Sequence, residues 1–181
     1  MRQLIVLILT IVFFTDSFSQ ADSSRINKIR KIVQQINKDT SDGNALYETI
    51  TLNNGEFMTE YMTDGGGQLS GYFKNGHLVK MVERIGLSSC VNTTEFYLKD
   101  NKLIFTYIQG KEFKYVDSLA TFNSSIQTVT MECRFYFYKD KMIKSILTGS
   151  TRCGGEPSDS WAKMCLNTCA EYIETFKEKK K

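Results

Sequence analysis

The sequence predicts an α+β fold in which an antiparallel, twisted β-meander of hairpins is flanked by N- and C-terminal amphipathic helices. Three observations carry this prediction. The chain repeats one pattern three times, at Tyr72-Phe73-Lys74-Asn75-Gly76-His77-Leu78-Val79, Tyr97-Leu98-Lys99-Asp100-Asn101-Lys102-Leu103-Ile104 and Tyr136-Phe137-Tyr138-Lys139-Asp140-Lys141-Met142-Ile143. Each repeat reads as two strands joined by a two-residue turn, which suits antiparallel neighbours and not βαβ units. On either side of this β-rich stretch, apolar residues recur at three- and four-residue steps, the period of a helix with one buried face.

Taken in order, the first residues read as a secretory signal. Arg2 supplies the positive start, Leu4 to Phe14 the apolar run, and Ser17 and Ser19 the small residues before a cut at Gln20. The run is too short to span a bilayer, which needs about 20 apolar residues. The expected mature chain, 20–181, is a single secreted or periplasmic domain with no transmembrane segment. A helix is predicted over 23–38, with Ile26, Ile29, Val33 and Ile36 on one face and Asp22 or Ser23 as its cap. Strands are predicted within 46–148, at 46–52, 57–62, 67–74, 77–85, 93–99, 102–109, 111–116, 126–138 and 141–148, where Thr, Tyr, Phe, Val and Ile are bounded by Gly, Asn and Asp. A last helix over 158–177 carries Trp161, Cys165, Cys169, Tyr172 and Phe176 as one stripe.

Pairing each hairpin across its turn sets Phe73 against Leu78, Leu98 against Leu103 and Phe137 against Met142 on one face of the sheet. This Phe/Leu face, extended through Leu69, Val82, Phe96, Phe105, Cys133, Phe135 and Ile146, is the expected core, packed on one or both helices. The opposite face pairs Tyr72 with Val79, Tyr97 with Ile104 and Tyr136 with Ile143. Two readings of it stand: half-solvated cross-strand packing, or a binding stripe, because Tyr is enriched at interface hot spots. Among the turns, Asn75-Gly76 is the strongest type I′ signal, and Lys139-Asp140 is the weakest, with a longer loop as the alternative.

Export makes disulfides the expected state of cysteine. The five cysteines leave at least one thiol unpaired within the chain. Cys165 and Cys169, one helical turn apart, should not bond to each other, because such Cβ atoms lie about 5–6 Å apart and a disulfide wants about 3.8 Å. The expected bridge joins Cys153 to Cys165 or Cys169. Zinc on these three cysteines lacks a C-x-x-C pair and a nearby His.

The spacing Ile26-Asn27-Lys28-Ile29-Arg30-Lys31, then Ile36-Asn37-Lys38, followed by Tyr-Phe-Lys-Asn-Gly-x-Leu hairpins, resembles a group of small exported proteins of Bacteroidota with repeated YYxDNGKL-type hairpins. The resemblance implies export and this fold, and it implies no activity and no catalytic residues. Asp117-Ser118-Leu119 resembles the three-residue O-glycosylation signal of Bacteroidota, and Asn92-Thr93-Thr94 and Asn123-Ser124-Ser125 fit N-x-S/T.

Chemistry-bearing patterns are few. Lys and Arg total 23 against 20 Asp and Glu, a net charge of +3 that argues against nucleic acid as a partner. The single histidine, His77, beside a turn, and a free Cys are what a small hydrolase or thiol enzyme would have to use. The sequence thus points to a non-catalytic binding or interaction protein, possible roles being inhibitor- or immunity-like, without cofactor or metal. Its expected partner is another envelope or extracellular protein, and its candidate binding face is Tyr72, Val79, Tyr97, Ile104, Tyr136 and Ile143. The alternatives are a carrier of a small apolar ligand and the hydrolase or thiol enzyme.

Overall fold

The computed structural model describes residues 2–41, 47–57 and 63–180, with side chains described from Asp22 onward except at 47 and 54. Helix α1 (Arg2–Ser41) leads into strand β1 (Tyr47–Asn53) and one turn of helix, α2 (Asn54–Phe57). Six strands follow: β2 (Gly67–Lys74), β3 (His77–Gly86), β4 (Cys90–Lys99), β5 (Lys102–Val116), β6 (Thr121–Tyr138) and β7 (Lys141–Gly149). Helix α3 (Trp161–Lys179) ends the fold. The seven strands form one open antiparallel sheet in chain order. The expected strand 57–62 falls largely on residues outside those described, and Phe57 itself closes α2. Asp22 and Ser23 lie inside α1 and do not cap it; Asp22 instead holds Arg25 at 2.7 Å.

All three repeats close on the same turn. Asn75 and Gly76, Asp100 and Asn101, and Lys139 and Asp140 all have φ between 51° and 77°, the geometry of a type I′ turn. The longer loop considered for Lys139-Asp140 is not formed. Lys is a poor residue for that left-handed backbone and Asp a weaker one than Gly, and the Lys102–Asp140 ion pair at 3.4 Å is solvent-exposed and worth little. Lys139→Asn with Asp140→Gly is therefore expected to raise unfolding stability by about 1 kcal/mol, read from the urea midpoint. An unchanged or lower midpoint contradicts it.

Each repeat also carries a β-bulge one residue past its turn-proximal pair. Phe73 pairs with Leu78, Leu98 with Leu103 and Phe137 with Met142. The next residues do not follow that register: Tyr72 pairs with Lys80, Tyr97 with Phe105 and Tyr136 with Lys144. Val79, Ile104 and Ile143 are the extra residues, so the pairings of Tyr72 with Val79, Tyr97 with Ile104 and Tyr136 with Ile143 are each displaced by one. The bulge also reverses the alternation beyond it. Phe105 and Ile146, expected on the Phe/Leu face, lie on the opposite one, and Met81 takes the core place expected for Val82.

Both faces of the sheet are covered. Ala162, Cys165, Cys169, Tyr172 and Phe176 of α3 are buried against Leu69, Phe73, Met81, Phe96, Cys133 and Phe135. Close contact is enforced at Gly71, where a Cβ would come within 2.7 Å of the Phe176 ring. On the other face Ile26, Ile29 and Ile36 of α1 pack on Tyr97, Phe105 and Tyr136, with Val79, Ile104 and Ile143 at the margin.

Candidate functional site

Of the six residues of the candidate binding face, Tyr97 and Tyr136 are only 1% and 4% exposed, because α1 lies over them. Their rings flank Phe105, with centroids 5.6 and 4.9 Å away. Val79, Ile104, Ile143 and Tyr72 are half-buried. Val79 and Ile104 line neighbouring clefts that follow one another along α1, and Tyr72 lies on β2 opposite Thr49 of β1. Thus the six are not one exposed stripe.

Polar groups fix α1 to this face. Asn37 Oδ1 accepts from Lys80 Nζ at 2.9 Å and lies 2.7 Å from the Tyr97 hydroxyl, which also meets the Glu95 carboxylate. Lys80 is itself buried, pairs with Glu95 at 3.2 Å and lies 4.9 Å from the centre of the Tyr97 ring. Further along the face, the Tyr107 hydroxyl donates to Glu132 and accepts from Gln109 Nε2 at 2.8 Å, while Arg134 binds Glu132 at 3.0 Å. Burial, reinforced by Glu95, raises the Tyr97 phenol, and burial with the Glu132 hydrogen bond pushes Tyr107 up to about 12. Both hydroxyls therefore stay protonated at neutral pH and act as donors that hold the face together.

The cysteines on the α3 side do not offer a nucleophile. Cys153 is bonded to Cys90, and not to Cys165 or Cys169 as the sequence suggested. The sheet order explains the difference. Cys90 begins β4 opposite Glu112, and Arg152 binds Glu112 through two nitrogens, at 2.9 and 2.6 Å, with its backbone N–H adding a third bond at 2.8 Å. This places the adjacent Cys153 at the start of β4. Cys133, Cys165 and Cys169 are free and buried, and burial pushes their thiols up to about 11, 12 and 12, so they remain unreactive at neutral pH. His77 is exposed beside its turn.

Glu83 of β3 is the half-buried carboxylate that meets the Tyr172 hydroxyl of α3 on this side. Burial raises its carboxyl, and the hydrogen bond donated by Tyr172 opposes that rise only in part. For an acid raised in the folded state, stability is complete below the unfolded value near 4.5 and falls as pH rises through the folded value. Glu83→Gln, which keeps an acceptor for Tyr172, is therefore expected to raise the thermal midpoint at pH 7. The gain should shrink as pH drops toward 4.5. An equal gain at both pH values contradicts this account.

The open surface lies elsewhere. Pairing of β4 with β5 ends at Cys90 and Glu112, and pairing of β6 with β7 ends at Met131 and Gly149. Beyond these points β5 and β6 continue as a two-stranded arm over residues 114–130, closed by a 3-10 turn at Asp117–Leu119. Tyr115, Leu119, Ile126 and Val129 on the arm are four of the six large hydrophobic residues exposed among the described residues; the others are Tyr138 and Met164. No charge occurs from Ser118 to Met131.

An isolated two-stranded ribbon is marginal in water, and the structure reinforces this one. The Cys90–Cys153 bridge and the Arg152–Glu112 pair clamp its root. The Arg152 guanidinium lies 5.1 Å from the Phe122 ring, and Phe122 meets Tyr115 edge-on at 5.1 Å. Ser124 to Ile126 bulge out between the pairs Lys114–Asn123 and Phe113–Gln127, closed by hydrogen bonds from Ser125 N to Asn123 Oδ1 and from Gln127 Nε2 to Ser124 O. Sequence reasoning did not single out this arm. Its one signal was the long uncharged run of Thr, Ser, Ile and Val, without the edge lysines that guard β7 at Lys141 and Lys144.

Among the described residues no helix is long and apolar enough to cross a membrane, and no group of His, Cys, Asp and Glu could hold a metal ion. No protein-family model, curated protein or solved structure matches the chain.

Proposed function

We propose that this chain is an exported, non-catalytic interaction protein that docks an envelope or extracellular protein through the β5–β6 arm. One observation carries the reading: most of the large exposed apolar side chains are gathered on a two-stranded ribbon whose root is held by the Arg152–Glu112 pair beside the Cys90–Cys153 bridge. Large apolar side chains left exposed together on one element mark an interaction site, and a clamped ribbon loses little conformational entropy on binding. The absence of charge from Ser118 to Met131 matches a partner surface that is apolar and uncharged. A disulfide between Cys90 and Cys153 is compatible with export.

The test is Ile126→Lys with Val129→Lys. Both residues are about half exposed, so folding stability should shift by only about 0.5 kcal/mol per site. Capture of the partner from the host's envelope and secreted fractions should fall by about ten-fold or more, because a buried apolar contact is replaced by a desolvated charge. Undiminished capture by the folded double variant contradicts the proposal.

A further inference from the structure

A second surface, distinct from the arm, has the chemistry of a small-ligand site. A cleft of about 310 Å³ runs between α1 and the turns joining β4 to β5 and β6 to β7. Its apolar lining includes Ile29 and Ile32 of α1 with Ile104 and Tyr138 of the sheet. Arg25, Lys28, Lys99, Lys102 and Lys139 also line it, against the single carboxylate of Asp100. The bulge matters here: as the extra residue of its strand, Ile104 stands at the cleft, while Phe105 beside it is buried under α1.

Three of the five cations are already engaged. Arg25 holds Asp22 and lies 4.4 Å from the centre of the Tyr138 ring, Lys102 holds Asp140, and Lys139 lies 5.6 Å from the Tyr138 ring. Lys28, from α1, and Lys99, at the end of β4, have no ion-pair partner among the described residues. They approach the cleft from its two walls.

We propose that this cleft binds a single-chain anionic amphiphile, with the tail on the Ile29–Ile32–Ile104 floor and the carboxylate between Lys28 and Lys99. A purely polar anion would leave the apolar floor in water, and a neutral chain would cover the lysines without neutralising them. A cationic head would meet like charge. The volume is at the small end of ligand sites, which suits a short chain better than a two-tailed lipid.

Decanoate, decanol and decyltrimethylammonium share one chain length and differ in head charge. Titration calorimetry of the purified protein below micelle-forming concentrations should show saturable binding of decanoate. Decanol should bind about ten-fold more weakly and the cation weaker still. Lys28→Glu with Lys99→Glu, both solvent-facing, should cut decanoate affinity by about ten-fold or more and leave decanol within about two-fold. Amide NMR shifts on adding decanoate should centre on Ile29 and Ile104. Unsaturable binding of decanoate, equal binding of all three chains, shifts centred elsewhere, or a folded double variant with unchanged decanoate affinity would each overturn the proposal.

Discussion

Alanine at Tyr72, Tyr97 and Tyr136 together is expected to unfold the protein rather than strip it of a binding face. Tyr97 and Tyr136 are buried beneath α1 and sandwich Phe105. Removing a buried aromatic ring costs about 3–5 kcal/mol, and two such losses approach the whole stability of a typical domain, about 5–15 kcal/mol. Tyr97→Ala also leaves Asn37 and Glu95 without the hydroxyl they share and Lys80 without the ring it lies over, and an orphaned buried polar group adds about 1–3 kcal/mol. Tyr72→Ala alone, at a half-buried site on β2, should cost about 1 kcal/mol. Near-ultraviolet circular dichroism and urea titration of the single and triple variants check this. A triple variant with a native spectrum and an unshifted midpoint would show that α1 does not seal the face.

The second large effect is expected from the disulfide. Cys90 and Cys153 close a loop with a sequence separation of 63. Chain-entropy arguments put the stabilisation from closing such a loop at about 4 kcal/mol. Cys90→Ala with Cys153→Ala should lower unfolding stability by that order and free the root of the arm, where Arg152–Glu112 would be the remaining clamp. Partner capture should fall with it, because an unclamped ribbon must be ordered on binding. A loss under about 1 kcal/mol would show that the packing around Glu112 and Thr151 holds the root without the covalent bond.

Local chemistry in the sequence specifies much of the sheet. Asn75-Gly76 and Asp100-Asn101 favour positive φ in themselves, and the Phe/Leu alternation identifies the turn-proximal pairs. Lys139-Asp140 adopts the same turn with poorer residues, held by the flanking pairs Phe137–Met142 and Tyr138–Lys141. The bulges were not legible because Val79, Ile104 and Ile143 are apolar: an extra apolar residue leaves the pattern readable in either register. The destination of α1 was legible only in hindsight of chemistry already present. Tyr97, Phe105 and Tyr136 make the second face too apolar near the turns to stay wet, and two amphipathic patterns flank a sheet with two faces to cover.

The cysteine pairing and the arm depend on a different scale of information. Cys153 meets Cys90 only because β4 and β5 are neighbours and Arg152 reaches Glu112 across 40 residues of chain. The arm exists because β5 and β6 outrun β4 and β7, a difference in strand length that no local motif encodes. Reading β5 as two strands, 102–109 and 111–116, broke it at Gly110. In the structure that glycine sits inside a continuous strand, where a Cβ would crowd Thr151 at 3.2 Å.

The most direct test of arm docking is site-specific photo-crosslinking in the native host. A benzophenone-bearing phenylalanine analogue replaces Ile126 or Val129 on the arm and, as controls, Ser145 on β7 or Met164 on α3. The account predicts one discrete protein adduct from positions 126 and 129, and none from 145 and 164. Adducts of the same protein from the control positions, or no adduct from either arm position, would contradict the assignment of the arm as the docking element.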